Sequence, residues 1–213
     1  MTRGKLIVFE GIDGSGTSTQ VRLLHETMVA SLRTVHATAQ PSGGPIGNMV
    51  RQILRGRIVS RDNRPMDWQT MALLFAADRQ DQQQNEILPH LDNGVHVICD
   101  RYVQSSIVYQ GVSADDSDAQ RWIGDANRYI IPPDVVFYLR IDAATAAQRR
   151  AARNEPAEIF DDVSFQEKLI AVYDRMAAMF PGVPVMTIDA TQSVEDIATS
   201  AWRVVSKMLN GEN

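Results

Sequence analysis

Residues 9–20 read FEGIDGSGTSTQ and follow the apolar run LIVF that begins at Leu6. This order of buried strand, glycine turn and helix constrains the fold more than any other stretch of the chain. Gly11 and Gly16 permit a tight turn whose backbone amides converge, and close approach of an anion becomes possible. The expected helix over 18–31 carries Val21, Leu24 and Met28 near helical spacing, and its start adds favourable partial charge. Gly11, Ile12, Asp13, Gly14, Ser15, Gly16, Thr17, Ser18 and Thr19 are therefore the candidate phosphate-binding loop. The alternative is a purely structural glycine turn, which does not account for the order of strand, loop and helix as well. Such loops ordinarily place Lys before the hydroxyl residue, and Thr17 stands there. Ser18 keeps the hydroxyl that can reach a metal ion, but Thr17 cannot supply the fixed positive charge.

The rest of the chain alternates strands with helices. Strand signals lie at 33–38, 95–99, 134–141 and 183–189. QPSGGPIG at 40–47 is a turn. Helices are expected over 46–54, 68–88, through Trp122 and Tyr129, over 143–153, 165–180 and from Ser193 to about 209. Asp67 is the expected N-cap of the second, and Pro89 and Gly94 its expected end. Ser193 with Asp196 resembles a capping pair. This alternation predicts an α/β fold with a mostly parallel central sheet covered by helices on both faces. The binding crevice should lie at the carboxyl ends of its strands.

The 213 residues suit a single domain. A formal charge of -5 argues against a general nucleic-acid binder, whose surface must be basic. One cysteine, Cys99, excludes an internal disulfide, and the four histidines show no metal-ligand spacing. No run approaches a membrane span, and the amino terminus enters a strand without a secretory pattern. A cytoplasmic protein with no membrane partner is expected.

Several polar residues fall where a crevice would use them. Asp100 and Arg101 follow a strand, as an active-site pair or as a structural ion pair. Phe75 and Arg79 are four apart on one helix face, and could stack on and hydrogen-bond a base, or be core plus surface. Arg149, Arg150 and Arg153 are candidate cations in place of the missing lysine, or a solvated helix face.

Five stretches then carry a resemblance: FEGIDGSGTSTQ, PSGGPIG, LLFAADR, ICDRYVQSSIVYQG and PDVVFYLRID. They resemble, in the same order, the thymidylate kinase family of nucleoside-monophosphate kinases, across most of the first two-thirds of the chain. The resemblance implies the P-loop nucleoside-monophosphate kinase fold in one domain, with an approximate mobile lid at 147–163. It implies transfer of the ATP γ-phosphate to thymidine monophosphate, with Mg2+, in a homodimer. Ser18 and Asp100 would meet the metal, and the loop with Arg149 would hold the donor. Asp13, Asp100, Arg101 and Arg153 would serve catalysis. Phe75 would stack on thymine and Arg79 would bond its carbonyl edge, beside Arg101, Ser106, Tyr109 and Gln110. The family's TREPGG stretch reads TAQPSGG here, so Ala39 replaces an arginine and Gln40 a glutamate. Those changes, with Thr17, leave two alternatives: a kinase for another deoxynucleoside monophosphate, or a nucleotide-binding homologue with little catalysis.

Overall fold

The computed structural model describes residues 2–114, 116, 118–152 and 162–211. Among them five strands form one sheet: β1 (Leu6–Glu10), β2 (Val35–Ala39), β3 (His96–Asp100), β4 (Val135–Arg140) and β5 (Val185–Asp189). Their order is β2-β3-β1-β4-β5 and every pairing is parallel. Every residue of β1 is buried, as a strand covered on both faces must be, which is why LIVF has no polar alternation. Phe9 and Phe137 stack across β1 and β4 with ring centroids 5.0 Å apart.

The helices are α1 (Thr17–Ala30), α2 (Pro45–Leu54), α3 (Trp68–Gln82), α4 (Leu88–Asp92), α5 (Val103–Ser113), α6 (Ala119–Ala126), α7 (Ala143–Ala151), α8 (Val163–Tyr173), α9 (Met176–Met179) and α10 (Val194–Asn210). Parallel strands require crossover connections, and the right-handed rule for them assigns α1 to one face of the sheet and α3, α5 and α8 to the other. The packing agrees: α1 lies on α10, and α5 lies on α3 and α8. Asp67 accepts from the backbone of Thr70, and Ser193 from that of Asp196, so both expected caps form.

The helix expected over 68–88 differs. It is α-helical to Gln82, passes through a π turn (Gln83–Ile87), and resumes as α4 despite Pro89. Pro89 directly follows the π turn, whose change of hydrogen-bond register accommodates a residue with no N–H while Ile87 and Leu88 keep helical angles. The helix expected over 165–180 divides into α8 and α9. Residues 103–113, with no helical signal of their own, form α5. Buried Gln104, Ser106 and Gln110 interrupt the apolar period there, because this helix buries polar side chains as well as apolar ones.

The register decides where the chemistry sits. Phe9 pairs with Asp100 across β1 and β3. The N–H of Arg101 donates to Phe9 O at 2.8 Å. The Asp100–Arg101 pair thereby lies beside the glycine loop that leaves β1, at the carboxyl edge of the sheet. A smaller apolar cluster joins Val50 and Ile53 of α2 to Met71, Leu74 and Phe75 of α3, and walls one side of the same crevice.

Candidate active site

The glycine loop is built for an anion. Gly16 is the N-cap of α1, with φ 98° and no side-chain cap. The first amides of α1 are thus left without a capping side chain. The Ser15 amide donates to Ile12 O at 3.1 Å and closes the turn. Gly14 has φ +94°, and a Cβ there would meet the Ala146 carbonyl of α7 at 2.5 Å, so only glycine lets the loop pass. Ser15 Oγ is buried without a protein partner among the described residues, which suits a cradle whose remaining contact is a ligand oxygen. Thr17 is 7 % exposed and offers the crevice little beyond its backbone amide.

Ser18 and Asp100 meet at the mouth of this loop. Ser18 Oγ donates to Asp100 Oδ2 at 2.5 Å, while Asp100 Oδ1 is buried with no hydrogen-bond partner among the described residues. No group of three or more His, Cys, Asp or Glu side chains among the described residues could hold a metal ion by itself. A hydroxyl and one carboxylate with a spare oxygen nevertheless fit Mg2+. That ion takes hard oxygen ligands and usually completes its shell with water and substrate phosphate.

Arg101 does not pair with its neighbour Asp100. It holds φ 68°, unusual for a side-chain residue, and aims its guanidinium across the loop. Nη2 donates to Asp13 Oδ1 at 2.6 Å, and Nη1 donates to Gly11 O at 2.8 Å and Ser105 Oγ at 3.1 Å. Burial opposes its charge, but Tyr109, Asp13, Tyr173 and Asp100 together raise its pKa further. Tyr109 OH donates to Asp13 Oδ2 at 3.1 Å, and its ring lies 5.2 Å from the Arg101 guanidinium carbon. Behind them Glu10 is fully buried. It accepts from the amides of Tyr102 and Ser105 and from the hydroxyls of Ser105 and Tyr173, which locks the β1 end to α5.

A pocket opens from Asp13 toward α2 and α3. Phe75, Arg79, Arg101, Ser106, Tyr109 and Gln110, the expected substrate residues, all line it. Phe75 is half-buried, whereas Arg79 is 1 % exposed. Arg79 donates from Nε to Gln40 Oε1 (2.8 Å), from Nη1 to Asn127 Oδ1 (2.6 Å) and from Nη2 to Ser106 Oγ (2.8 Å). It therefore forms the pocket's floor rather than a protruding arm.

The pocket contains cations that the sequence does not single out. Arg51 and Arg55 of the α2 region line it as well. Arg51 donates to Pro41 O and Ser42 O, both at 2.5 Å. Four arginines thus face one carboxylate, Asp13, among the lining residues. This excess of positive charge occupies the region where Ala39 leaves a cation out. Arg51 follows Gly47 by one helical turn and adjoins Val50, a spacing that could have flagged it once α2 was placed on the crevice.

On the loop's far side, Arg150 Nη1 donates to the Asp13 carbonyl at 2.6 Å. Arg149 is half-buried on the same helix. Arg153 and residues 153–161 of the expected lid lie outside the described residues.

The chain is similar to known proteins along nearly its whole length. The family model described as thymidylate kinase matches residues 9–201. A thymidylate kinase of Caldicellulosiruptor saccharolyticus is 32 % identical over 217 residues, covering 97 % of this chain and 98 % of its own. A Methanocaldococcus jannaschii protein named "Probable thymidylate kinase" is 38 % identical over 200 residues, covering 92 % and 93 %. The solved structure of thymidylate kinase from Candida albicans superposes with TM-score 0.79 at 23 % identity, over 99 % of this chain and 94 % of that one. Matched by the family model over residues 9–201 and by these relatives over more than nine-tenths of its length, the chain belongs to the thymidylate kinase family.

Proposed function

We propose that the protein transfers the γ-phosphoryl group of ATP to the 5′-phosphate of thymidine monophosphate, yielding ADP and thymidine diphosphate. The observation that carries this reading is the junction of two sites at Asp13. An uncapped helix start faces one side, and a pocket with four arginines and an aromatic wall faces the other. Backbone amides from Gly14 to Thr19 hold the donor phosphates. Arg101 and Arg51 take the acceptor phosphate. Phe75 stacks on the base, and Arg79, Ser106 and Gln110 meet its polar edge. Arg150, with Arg149 beside it, brings positive charge to the donor side that Thr17 lacks. Mg2+ held by Ser18 and Asp100 supplies neutralisation of phosphate charge when bound. The acceptor phosphate is itself the nucleophile, so alignment and charge neutralisation carry the reaction and no strong base is required.

No helix among the described residues is long and apolar enough to cross a membrane. We place the enzyme in the cytoplasm as a homodimer, with Leu73 of α3, 51 % exposed, as a candidate subunit contact. Purified protein with ATP and Mg2+ should phosphorylate thymidine monophosphate in preference to the other deoxynucleoside monophosphates. Preference for a different monophosphate, or nucleotide binding without turnover, would overturn the assignment.

A further inference from the structure

A chain of side-chain amides runs from the floor of the acceptor pocket to the outer surface, and its direction is fixed from the outside. Gln40 Nε2 donates to Gln82 Oε1 at 2.9 Å, and Gln40 Oε1 accepts from Arg79 Nε at 2.8 Å. Gln82, the last residue of α3, turns its own Nε2 the other way. It donates toward Thr38 Oγ1 at 2.8 Å, Ala39 O at 3.2 Å and Glu86 Oε2 at 3.0 Å. Glu86 belongs to the π turn and also contacts His36 Nε2 at 2.7 Å.

An amide has a donor end and an acceptor end, whereas a carbonyl or an ionised carboxylate only accepts. Burial opposes ionisation of Glu86, but the hydrogen bonds from His36, Thr38 and Gln82 hold its pKa below the ordinary value. Ala39 O and Glu86 therefore admit only the NH2 end of Gln82. Gln82 Oε1 must face Gln40, and Gln40 must turn its oxygen to Arg79. Were Gln40 reversed, its NH2 would face the Arg79 N–H donor to donor, and the guanidinium would lose its hold at Nε.

The same arrangement leaves Arg79 without an ion pair among the described residues, although, against the cost of burial, Glu10 and Asp78 favour its charge through space. Its partners are the oxygens of Gln40, Asn127, Ser106 and the Tyr102 backbone, all neutral. We propose that Gln82 is a positioning residue for the acceptor pocket. By fixing the orientation of Gln40 it presents Arg79 to the acceptor base as a guanidinium whose hydrogen-bond partners are neutral oxygens. The inference rests on thymidine monophosphate being the acceptor.

A double-mutant cycle tests it. Gln82→Met keeps length and removes both amide ends. It should raise the KM for thymidine monophosphate about tenfold while kcat and the KM for ATP change less than twofold, because Gln82 touches neither donor nor reacting phosphate. Gln40→Glu replaces the amide by a group that only accepts and needs no orientation. In that background Gln82→Met should leave the acceptor KM unchanged or lower it, since the introduced carboxylate and Gln82 Oε1 repel. Glu86→Gln supplies a second, more exposed probe. It removes the charged one of the two groups that orient Gln82, leaving Ala39 O, and should raise the acceptor KM severalfold in the natural background only. Equal effects of Gln82→Met in both backgrounds, an acceptor KM within twofold of the parent for both variants, or unfolding of both in thermal melts would overturn the proposal. Failure of the unmodified protein to use thymidine monophosphate would instead remove the functional reading, and it shows before any variant is compared.

Discussion

Ser18 of α1 and Asp100 of β3 share a hydrogen bond of 2.5 Å although they are 82 residues apart. The pairing of Phe9 with Asp100 creates this contact, because it brings the end of β3 level with the loop that leaves β1. The second Asp100 oxygen is buried and has no partner among the described residues, so the pair has one acceptor ready for a cation. Asp100→Asn should lower kcat by roughly a hundredfold to a thousandfold, the scale of one lost electrostatic contact at a preorganised site. The Mg2+ concentration for half-maximal rate should rise as well. Titrating Mg2+ against the initial rate checks both, and unchanged curves would exclude the pair from metal binding.

Arg51 carries the second prediction. Its guanidinium is held by two carbonyls of the 41–42 turn, so it is preorganised at the pocket wall. Arg51→Ala should reduce kcat/KM for thymidine monophosphate by about ten- to a hundredfold, as for a charge-assisted contact of about 1.4 to 3 kcal/mol. Arg51→Lys should recover little, since an ammonium cannot bind two carbonyls and a phosphate with a planar fork. Arg55 is exposed and has no comparable anchorage among the described residues, so Arg55→Ala should cost less. Steady-state kinetics of the three variants would reject this ordering if Arg55→Ala proved the most damaging.

These two predictions mark what the sequence reveals and what it hides. Asp100 is visible because a charged pair after an apolar run locates a strand's carboxyl end. Ser18 is visible from loop spacing. Their hydrogen bond is not, since it depends on which strand neighbours β1. Arg51 is hidden for a related reason: its role comes from α2 turning toward the crevice, and its own helix reads as an ordinary amphipathic one. α5 is hidden because buried Gln104, Ser106 and Gln110 break the apolar period that identifies helices. Arg149, Arg150 and Arg153 read alike as candidate cations in the sequence, and among the described residues it is Arg150 that touches the loop.

Arg150 therefore supports a third prediction. Its bond to the Asp13 carbonyl spans from α7 to the phosphate loop at 2.6 Å. Arg150→Ala removes both that tether and a positive charge beside the glycine loop, the proposed donor site. The KM for ATP should rise and kcat fall roughly tenfold or more, while the KM for thymidine monophosphate changes little. Arg149→Ala serves as the control on the same helix. A larger effect on the acceptor KM than on the donor KM would refute this placement of Arg150.

The last prediction concerns stability at mildly acidic pH. The backbone N–H of Lys5 donates to His96 Nδ1 at 3.0 Å, a bond that requires an unprotonated nitrogen. Burial lowers the pKa of His96 below its ordinary value of 6.5. Arg33 and Lys5 add to the shift and Asp134 opposes it. The unfolded chain consequently binds more protons than the folded one between the depressed pKa and about 6.5, so stability rises with pH across that window. Its contribution is complete above 6.5 and is lost as pH falls through the folded-state pKa. His96→Asn should keep an acceptor near the Lys5 amide and remove the titrating group. Thermal melts from pH 8 to pH 5 should show the unmodified protein losing more Tm than His96→Asn. The carboxylates that cap helices, Asp67, Asp142 and Asp162, have pKa values lowered below 3.8 by their hydrogen bonds to Thr70, Thr145 and the 164–165 segment respectively. They stay ionised throughout that range, so the difference between the two proteins isolates the histidine. Parallel Tm profiles would show that His96 does not titrate as its surroundings dictate.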